Sequence, residues 1–98
     1  MLTEIKVMGL AFKALREELG MSRAALAKNA GVGVSCLRHF EQGTRDTKLK
    51  TFFALMDGLK IPRKTTIAVM DTALKNPEKW LARYKQGISQ SNLQNFSK

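Results

Sequence analysis

The sequence predicts an all-α fold, and three observations support this class. Apolar residues recur at steps of three and four in several segments, which is the spacing of one face of a helix. The 98 residues include only two prolines and 7% aromatic residues, and no β-branched run indicates a strand. Glycines and capping residues separate the apolar segments. With 44% hydrophobic residues, the chain can form one domain with a modest core.

A first helix is predicted from Thr3 to Leu19. Glycine inside a helix costs up to about 1 kcal/mol relative to alanine. Because Gly9 interrupts the segment, the regular part of the helix is expected to begin there. The apolar stripe of this helix consists of Ile5, Met8, Phe12, Leu15 and Leu19.

The stretch from Gly20 to Gly43 predicts two short helices joined by a tight turn. Ser22 is expected to cap the first, because its hydroxyl can accept a backbone N–H that has no partner within the helix. Gly31 suits the left-handed residue that ends this helix. The second helix would then begin at Gly33 and stop at Gly43.

The second of these helices has an apolar side and a polar side. Leu37 and Phe40 are predicted to face the core. The outer side combines a cation, a hydroxyl, an imidazole and a methyl-bearing group, which suits the DNA major groove. Its residues are Val34, Ser35, Arg38 and His39. The pattern therefore predicts a helix-turn-helix.

Three more helices are predicted further along the chain. One spans Lys48 to Leu59, and its apolar residues cover more than one stripe, so that it is expected to pack on two sides. The next is capped by Thr65 or Thr66 and ends at Lys75, and the last begins at Asn76-Pro77. The predicted organisation is a DNA-binding domain over 1–61, a helical extension over 62–86 that dimerises through Trp80, Leu81 and Tyr84, and a flexible tail over 87–98.

The charge of the chain favours polyanionic partners. Seventeen Lys and Arg against eight Asp and Glu give a net charge of +9, and nucleic acid is the commonest partner of so basic a domain. A protein that is basic without such a partner is the alternative.

The single cysteine excludes an intrachain disulfide framework, and no apolar run approaches the ~20 residues of a membrane span. The chain is therefore expected to be cytoplasmic and away from membranes.

Catalytic and metal chemistry find little support in the sequence. Cys36 and His39 are three residues apart, a spacing compatible with a metal, but no second cysteine or histidine completes a site. Cys36 is expected to pack half-buried against the preceding helix. No set of nucleophile, base and acid is apparent, because the only histidine lies on the outer face of a helix. We therefore expect no enzymatic activity, no metal and no cofactor.

Residues 8–61 resemble the Cro/repressor family, also called the XRE family. The matching residues are Met8-Gly9, Phe12, Leu15-Arg16, Gly20, Ser22, Leu26-Ala27, Ala30-Gly31-Val32, Leu37, Phe40-Glu41, Gly43, Leu49, Phe52, Leu55 and Leu59. The resemblance implies a compact, lambda-repressor-like bundle of about five helices, to which the C-terminal helical extension is added. In this family the third helix reads the major groove and the second crosses the backbone. The resemblance also implies an ion pair between Arg16 and Glu41 that fixes the angle between their helices.

The family pattern assigns roles to three further positions. Arg23 stands where glutamine is frequent, at a position that touches phosphate and braces the third helix. Gly33 replaces the usual Ser, Thr or Asp cap of that helix and so lacks a side-chain phosphate contact. Val34 replaces a frequent polar reader, which leaves it contact with a thymine methyl group.

The remaining candidate residues follow from the outer face and from the charge. Ser35 and Arg38 are the best base readers, because Arg38 can bind guanine O6 and N7 with two hydrogen bonds, and a solvated helix face is the alternative. His39 is expected to contact a phosphate or a base, and a surface histidine without such a contact is the equal alternative. A cluster of cations at the start of the fourth helix favours phosphate contact over solvated charge. This cluster consists of Arg45, Lys48 and Lys50.

Together these features predict a sequence-specific DNA-binding transcriptional regulator. The preferred interpretation is an autorepressor that binds a palindromic operator in double-stranded DNA as a homodimer. One alternative is an antitoxin, because residues 37–59 also resemble the HipB type within the family and leave a toxin partner open. The other is a nonspecific architectural DNA binder or an accessory factor.

Overall fold

The computed structural model describes residues 3–86, and every regular element within them is an α-helix, so the predicted fold class is confirmed. The six helices are α1 Glu4–Glu18, α2 Arg23–Ala30, α3 Val34–Gln42, α4 Leu49–Gly58, α5 Arg63–Lys75 and α6 Pro77–Gln86. None of them is both long and apolar enough to cross a membrane. The tail predicted over 87–98 lies outside the described residues.

Local signals set the ends of the two middle helices. The Ser22 hydroxyl accepts the backbone N–H of Ala25 at 3.0 Å, which caps α2. Gly31 ends α2 and Gly43 ends α3, each in the left-handed conformation with φ near 70°. These three predictions are confirmed.

The start of α5 differs from the sequence prediction. The helix begins at Arg63, directly after Pro62, and its first turn contains both of the threonines expected to cap it. The Pro62 carbonyl accepts the backbone N–H of Thr65 at 3.0 Å. A threonine cap is therefore wrong, because the proline carbonyl already receives the first helical hydrogen bond and Thr65 and Thr66 come too late.

The helices share one core that is centred on α1. Phe12 is fully buried, and its ring meets Phe40 of α3 edge to face with the centroids 5.1 Å apart. Phe40 in turn meets Phe52 of α4 at 6.1 Å. The other buried apolar side chains are Val7, Ala11, Ala14, Leu15, Leu26, Ala27, Leu37, Leu55, Met56, Leu59, Val69, Met70, Ala73 and Trp80.

The segment 62–86 contributes to this same core. α5 packs along α1, and α6 places the Trp80 side chain against the core with only 7% of the residue exposed. Tyr84 stacks on Trp80 with the ring centroids 5.3 Å apart. The apolar surface of Trp80 is thus used within the chain and is not surplus to its core, whereas dimerisation through the segment 62–86 stays a prediction.

Gly9 lies inside α1 and does not interrupt it. The helix begins five residues earlier, at Glu4, where Thr3 accepts the backbone N–H of Lys6 at 3.2 Å. At Gly9 the backbone of α3 comes so close that an added Cβ would lie 2.3 Å from the Phe40 carbonyl oxygen. The expected start near Gly9 is therefore wrong. The glycine is needed for the close contact between the two helices.

Candidate nucleic-acid interface

A buried carboxylate joins the first three helices. The Arg16 Nε donates to Glu41 Oε2 at 2.6 Å, and Arg16 Nη2 donates to Oε1 at 3.1 Å. The Arg16 Nη1 also donates to the Met21 carbonyl at 2.7 Å. The side chains of Arg16 and Glu41 are 7% and 0% exposed, so the ion pair implied by the family resemblance is confirmed as a buried contact between α1 and α3.

Arg23 adds a second guanidinium to the same carboxylate. Its Nε donates to Glu41 Oε1 at 2.8 Å, so Glu41 holds the start of α2 as well as the end of α1. Two guanidinium groups share one negative charge, which leaves a net positive charge in this network. The Arg23 side chain is 33% exposed and carries that surplus to the surface.

The outer face of α3 is open to solvent. Leu37, Phe40 and Glu41 are buried, as the helical spacing predicts for the first two. Ser35 and Arg38 lie on the exposed side, where Arg38 Nη2 donates to Ser35 Oγ at 3.4 Å. This is a long hydrogen bond between exposed groups, so both side chains remain available to another partner.

Two other positions of the predicted interface flank this pair. Val34 is 45% exposed, which is high for an apolar residue of the first turn. Gly33 precedes it with φ −73° and ψ 146° and provides no side-chain cap, so the first N–H groups of α3 are not covered by a side chain. An added Cβ at Gly33 would meet nothing within 4 Å.

His39 is half-buried and bonded to the turn that follows α3. Its Nδ1 lies 3.1 Å from the Thr44 hydroxyl oxygen, and the Thr44 backbone N–H donates to the His39 carbonyl at 3.1 Å. The ring therefore helps to hold the connection between α3 and α4. Thr44 was not singled out from the sequence, because its role depends on this contact across the end of a helix.

The cations between α3 and α4 are all at the surface. Arg45 and Lys48 are exposed, and so is Lys50 in the first turn of α4. Over residues 3–86, none of them forms an ion pair with an acidic side chain. Lys48 takes the position before α4 without a side-chain cap, which leaves the N-terminal end of that helix open.

A family model described as helix-turn-helix matches residues 12–64, which is more than half of the chain. The chain belongs to the helix-turn-helix family. The resemblance to the Cro/repressor (XRE) proteins is thereby confirmed, and the chain is a DNA-binding transcription regulator. No curated protein matches the sequence.

Two solved structures resemble this helix-turn-helix protein in fold. One is a point mutant of the restriction-modification controller protein C.Esp1396I, with a TM-score of 0.71 and 17% sequence identity over 76% of this chain and 95% of the other. The second is the clp gene regulator ClgR from C. glutamicum, with a TM-score of 0.66 and 15% identity over 74% and 95% of the two chains. At these identities the likeness concerns the fold.

In this helix-turn-helix protein, Cys36 occupies a different environment from the one expected. It is exposed, whereas the sequence suggested a half-buried contact with the preceding helix. Cys36 lies in the first turn of α3, and the contacts of that helix with the core begin only at Leu37. Within the described residues no group of three potential metal ligands is found.

Proposed function

We propose that the chain is a sequence-specific repressor that binds a palindromic operator as a homodimer. The observation that carries this proposal is the outer face of α3, which presents Ser35 and Arg38 to solvent on a helix fixed by the buried Arg16–Glu41 pair. The family membership supports DNA as the ligand. The two structures of similar fold are also named as a controller protein and a gene regulator.

In the proposed complex, three side chains of α3 read bases. The Arg38 guanidinium forms two hydrogen bonds with guanine O6 and N7, which contribute about 1–3 kcal/mol of discrimination. Ser35 lies one helical turn before it and contacts a neighbouring base edge. Val34 has no hydrogen-bonding group in its side chain, so it selects the thymine methyl group.

The residues around α3 position the protein on the backbone. Arg23 offers its free guanidinium N–H groups to a phosphate, and Gly33 offers the backbone at the start of α3. Arg45 and Lys48 bind phosphate at the other side of the recognition helix, with His39 holding the turn between them. These contacts fix register and carry no sequence information.

A single recognition helix reads only a short sequence, which favours a homodimer. α3 has nine residues and is therefore about 14 Å long. Two copies related by a two-fold axis would place their α3 helices in successive major grooves about 34 Å apart. The operator would then have two equivalent halves.

The face formed by α4 and α5 is the surface that best fits a second copy. Leu49 and Phe53 lie four residues apart on α4 and are 67% and 38% exposed, and Ile67 of α5 is 51% exposed. Arg63 connects the two helices, because its guanidinium lies 4.9 Å from the centre of the Phe53 ring and donates to Asp57 at 2.8 and 2.9 Å. This hydrogen bonding lowers the pKa of Asp57. Ile67 falls within the extension expected to dimerise, although the contact residues differ from Trp80.

The proposal is tested by titrating the DNA upstream of the chain's own gene, with random duplex as competitor, at physiological salt. We expect selective binding of two chains per site. Arg38→Ala should relax the preference at one base pair of each half-site, whereas Arg45→Ala should weaken operator and random DNA alike. If Arg38→Ala lowers the affinity for operator and for random duplex equally, its role as a base reader is refuted. Binding that is no tighter than to random duplex, or that requires a second protein such as a toxin, would overturn the repressor proposal.

A further inference from the structure

A groove with a cationic lining lies between α1, α3 and α6. We call it the α1–α6 groove, and its volume is about 420 Å³. Lys6, Leu10 and Lys13 line it from one side of α1, at steps of four and three residues. The other lining residues are Arg23, Glu41, Gln42, Leu81 and Tyr84.

The charges in this groove are unbalanced. Among the described residues, the only acidic one that lines the groove is Glu41, whose carboxylate already accepts hydrogen bonds from Arg16 and Arg23. The neighbouring Glu17 accepts the Tyr84 hydroxyl at 3.3 Å. Between residues 3 and 86, no acidic side chain forms an ion pair with Lys6 or Lys13. The two ammonium groups therefore stand beside a surplus positive charge with no counterion from the described chain.

The position of the groove connects it to the DNA-binding elements. Gln42 and Glu41 belong to the C-terminal turn of α3, and the Lys6 backbone packs against Gly43, where an added Cβ would lie 2.7 Å from the Lys6 Cα. Arg23 lines the groove and is also the first residue of α2. A polyanion bound at Arg23 would therefore have further cations within the same groove.

We propose that the α1–α6 groove binds phosphate groups of the DNA backbone beyond the base pairs read by α3. Lys6 and Lys13 act as two additional phosphate ligands, next to the Arg23 guanidinium. This inference rests on the proposed DNA-binding function and extends the footprint of the protein to α1. Leu10 and Leu81 provide no side-chain hydrogen-bonding group, so the contact is independent of sequence.

The test compares two charge variants that carry the same net charge. Lys6→Gln with Lys13→Gln removes the two groove cations, whereas Lys60→Gln with Lys79→Gln removes two exposed lysines that do not line the groove. The slope of log affinity against log salt is measured for operator and for random duplex. Each lost phosphate contact should reduce the slope by about 0.9, so the groove variant should lose about 1.8 and the control less than half of that. Equal slopes for the two variants would overturn the proposal.

Two further measurements distinguish the possible outcomes. Lys6→Arg with Lys13→Arg should keep the wild-type slope because the two positive charges are retained, and a reduced slope in this variant as well would show that charge is not what the lysines provide. A titration of the wild type with inorganic phosphate, followed by NMR of the amides of α1, tests for a small anion. If the α1 amide shifts saturate with phosphate while the groove variant keeps the wild-type salt slope, the groove binds a free phosphate and not the DNA backbone. This result would refute the proposal. If the groove variant has a reduced slope on random duplex and the wild type shows no preference for the operator, the groove is supported and the repressor function is refuted.

Discussion

The replacement Gly9→Ala tests whether the contact between α1 and α3 is as close as the structure shows. Helix propensity alone predicts that alanine stabilises α1 by up to about 1 kcal/mol. The structure predicts the opposite sign. The new Cβ would lie 2.3 Å from the Phe40 carbonyl oxygen and 2.8 Å from that of Glu41, and both are backbone atoms that cannot rotate away.

The size of the effect follows from the movement that would relieve the clash. The two helices must separate by at least about 0.7 Å for the Cβ to reach 3.0 Å from the Phe40 oxygen, and overpacking of this kind costs about 1–3 kcal/mol. Separation also strains the buried hydrogen bonds between Arg16 and Glu41. Setting about 3 kcal/mol against a propensity gain of about 1, we expect a net destabilisation of about 2 kcal/mol. For a domain of this size the melting temperature would fall by about 8–16 °C.

The assay is urea unfolding followed by circular dichroism, with the thermal midpoint as a second measure. Ala68→Gly is the matched control, because Ala68 is exposed in the middle of α5 and reports helix propensity alone. We expect Ala68→Gly to destabilise by about 1 kcal/mol, as the propensity scale requires. If Gly9→Ala were as stable as the wild type or more so, the close approach of α3 to α1 would be refuted.

Three further predictions concern other parts of the fold. Thr66 is fully buried, and its hydroxyl oxygen has no hydrogen-bond partner among the described residues. Thr66→Val should therefore raise the free energy of unfolding, measured in urea, by about 1 kcal/mol. A decrease of the same size would indicate a hidden partner of the hydroxyl. Burial, together with the adjacent Glu17 carboxylate, raises the pKa of Tyr84 to about 12 from an ordinary value of 10.0. Because folding favours the protonated phenol, stability is full below pH 10 and should fall as the pH rises towards 12, whereas Tyr84→Phe should remove this dependence. Tyr84 is the only tyrosine, so its absorbance can follow the ionisation directly, and a midpoint near 10 would contradict its burial. Ile67→Asp should convert the proposed dimer to a monomer in sedimentation, whereas Thr72→Asp on another side of α5 should leave that dimer intact. Dimers that are unchanged in both variants would exclude the α4–α5 face.

The parts of the fold that depend on neighbours in the chain were predictable from the sequence. Ser22 caps α2, Gly31 and Gly43 end their helices, and Leu37 faces inward, because each of these depends on hydrogen bonds or spacing within a few residues. The outward direction of Ser35 and Arg38 follows from the same spacing. Their contact with DNA stays a prediction.

The errors arose where residues distant in the chain decide the outcome. Gly9 looked like a weak point of a helix, because nothing in its neighbourhood reveals that α3 crosses there. Trp80 looked like surplus apolar surface, since only the packing of α5 on α1 creates the site that it fills. The family resemblance gives Arg23 a bracing role on α3 beside its phosphate contact, and the hydrogen bond to Glu41, eighteen residues later, provides that brace.

Different residues of α3 hold the helix in the core and face solvent. Leu37, Phe40 and Glu41 hold the helix in place, whereas Ser35 and Arg38 make no contact with the core. Because Ser35 and Arg38 do not hold the helix, their replacement should change the free energy of unfolding by less than about 0.5 kcal/mol. Under the proposed function, a change of operator then needs only a few surface substitutions. Under that proposal the chain is a suitable carrier for engineered DNA specificities.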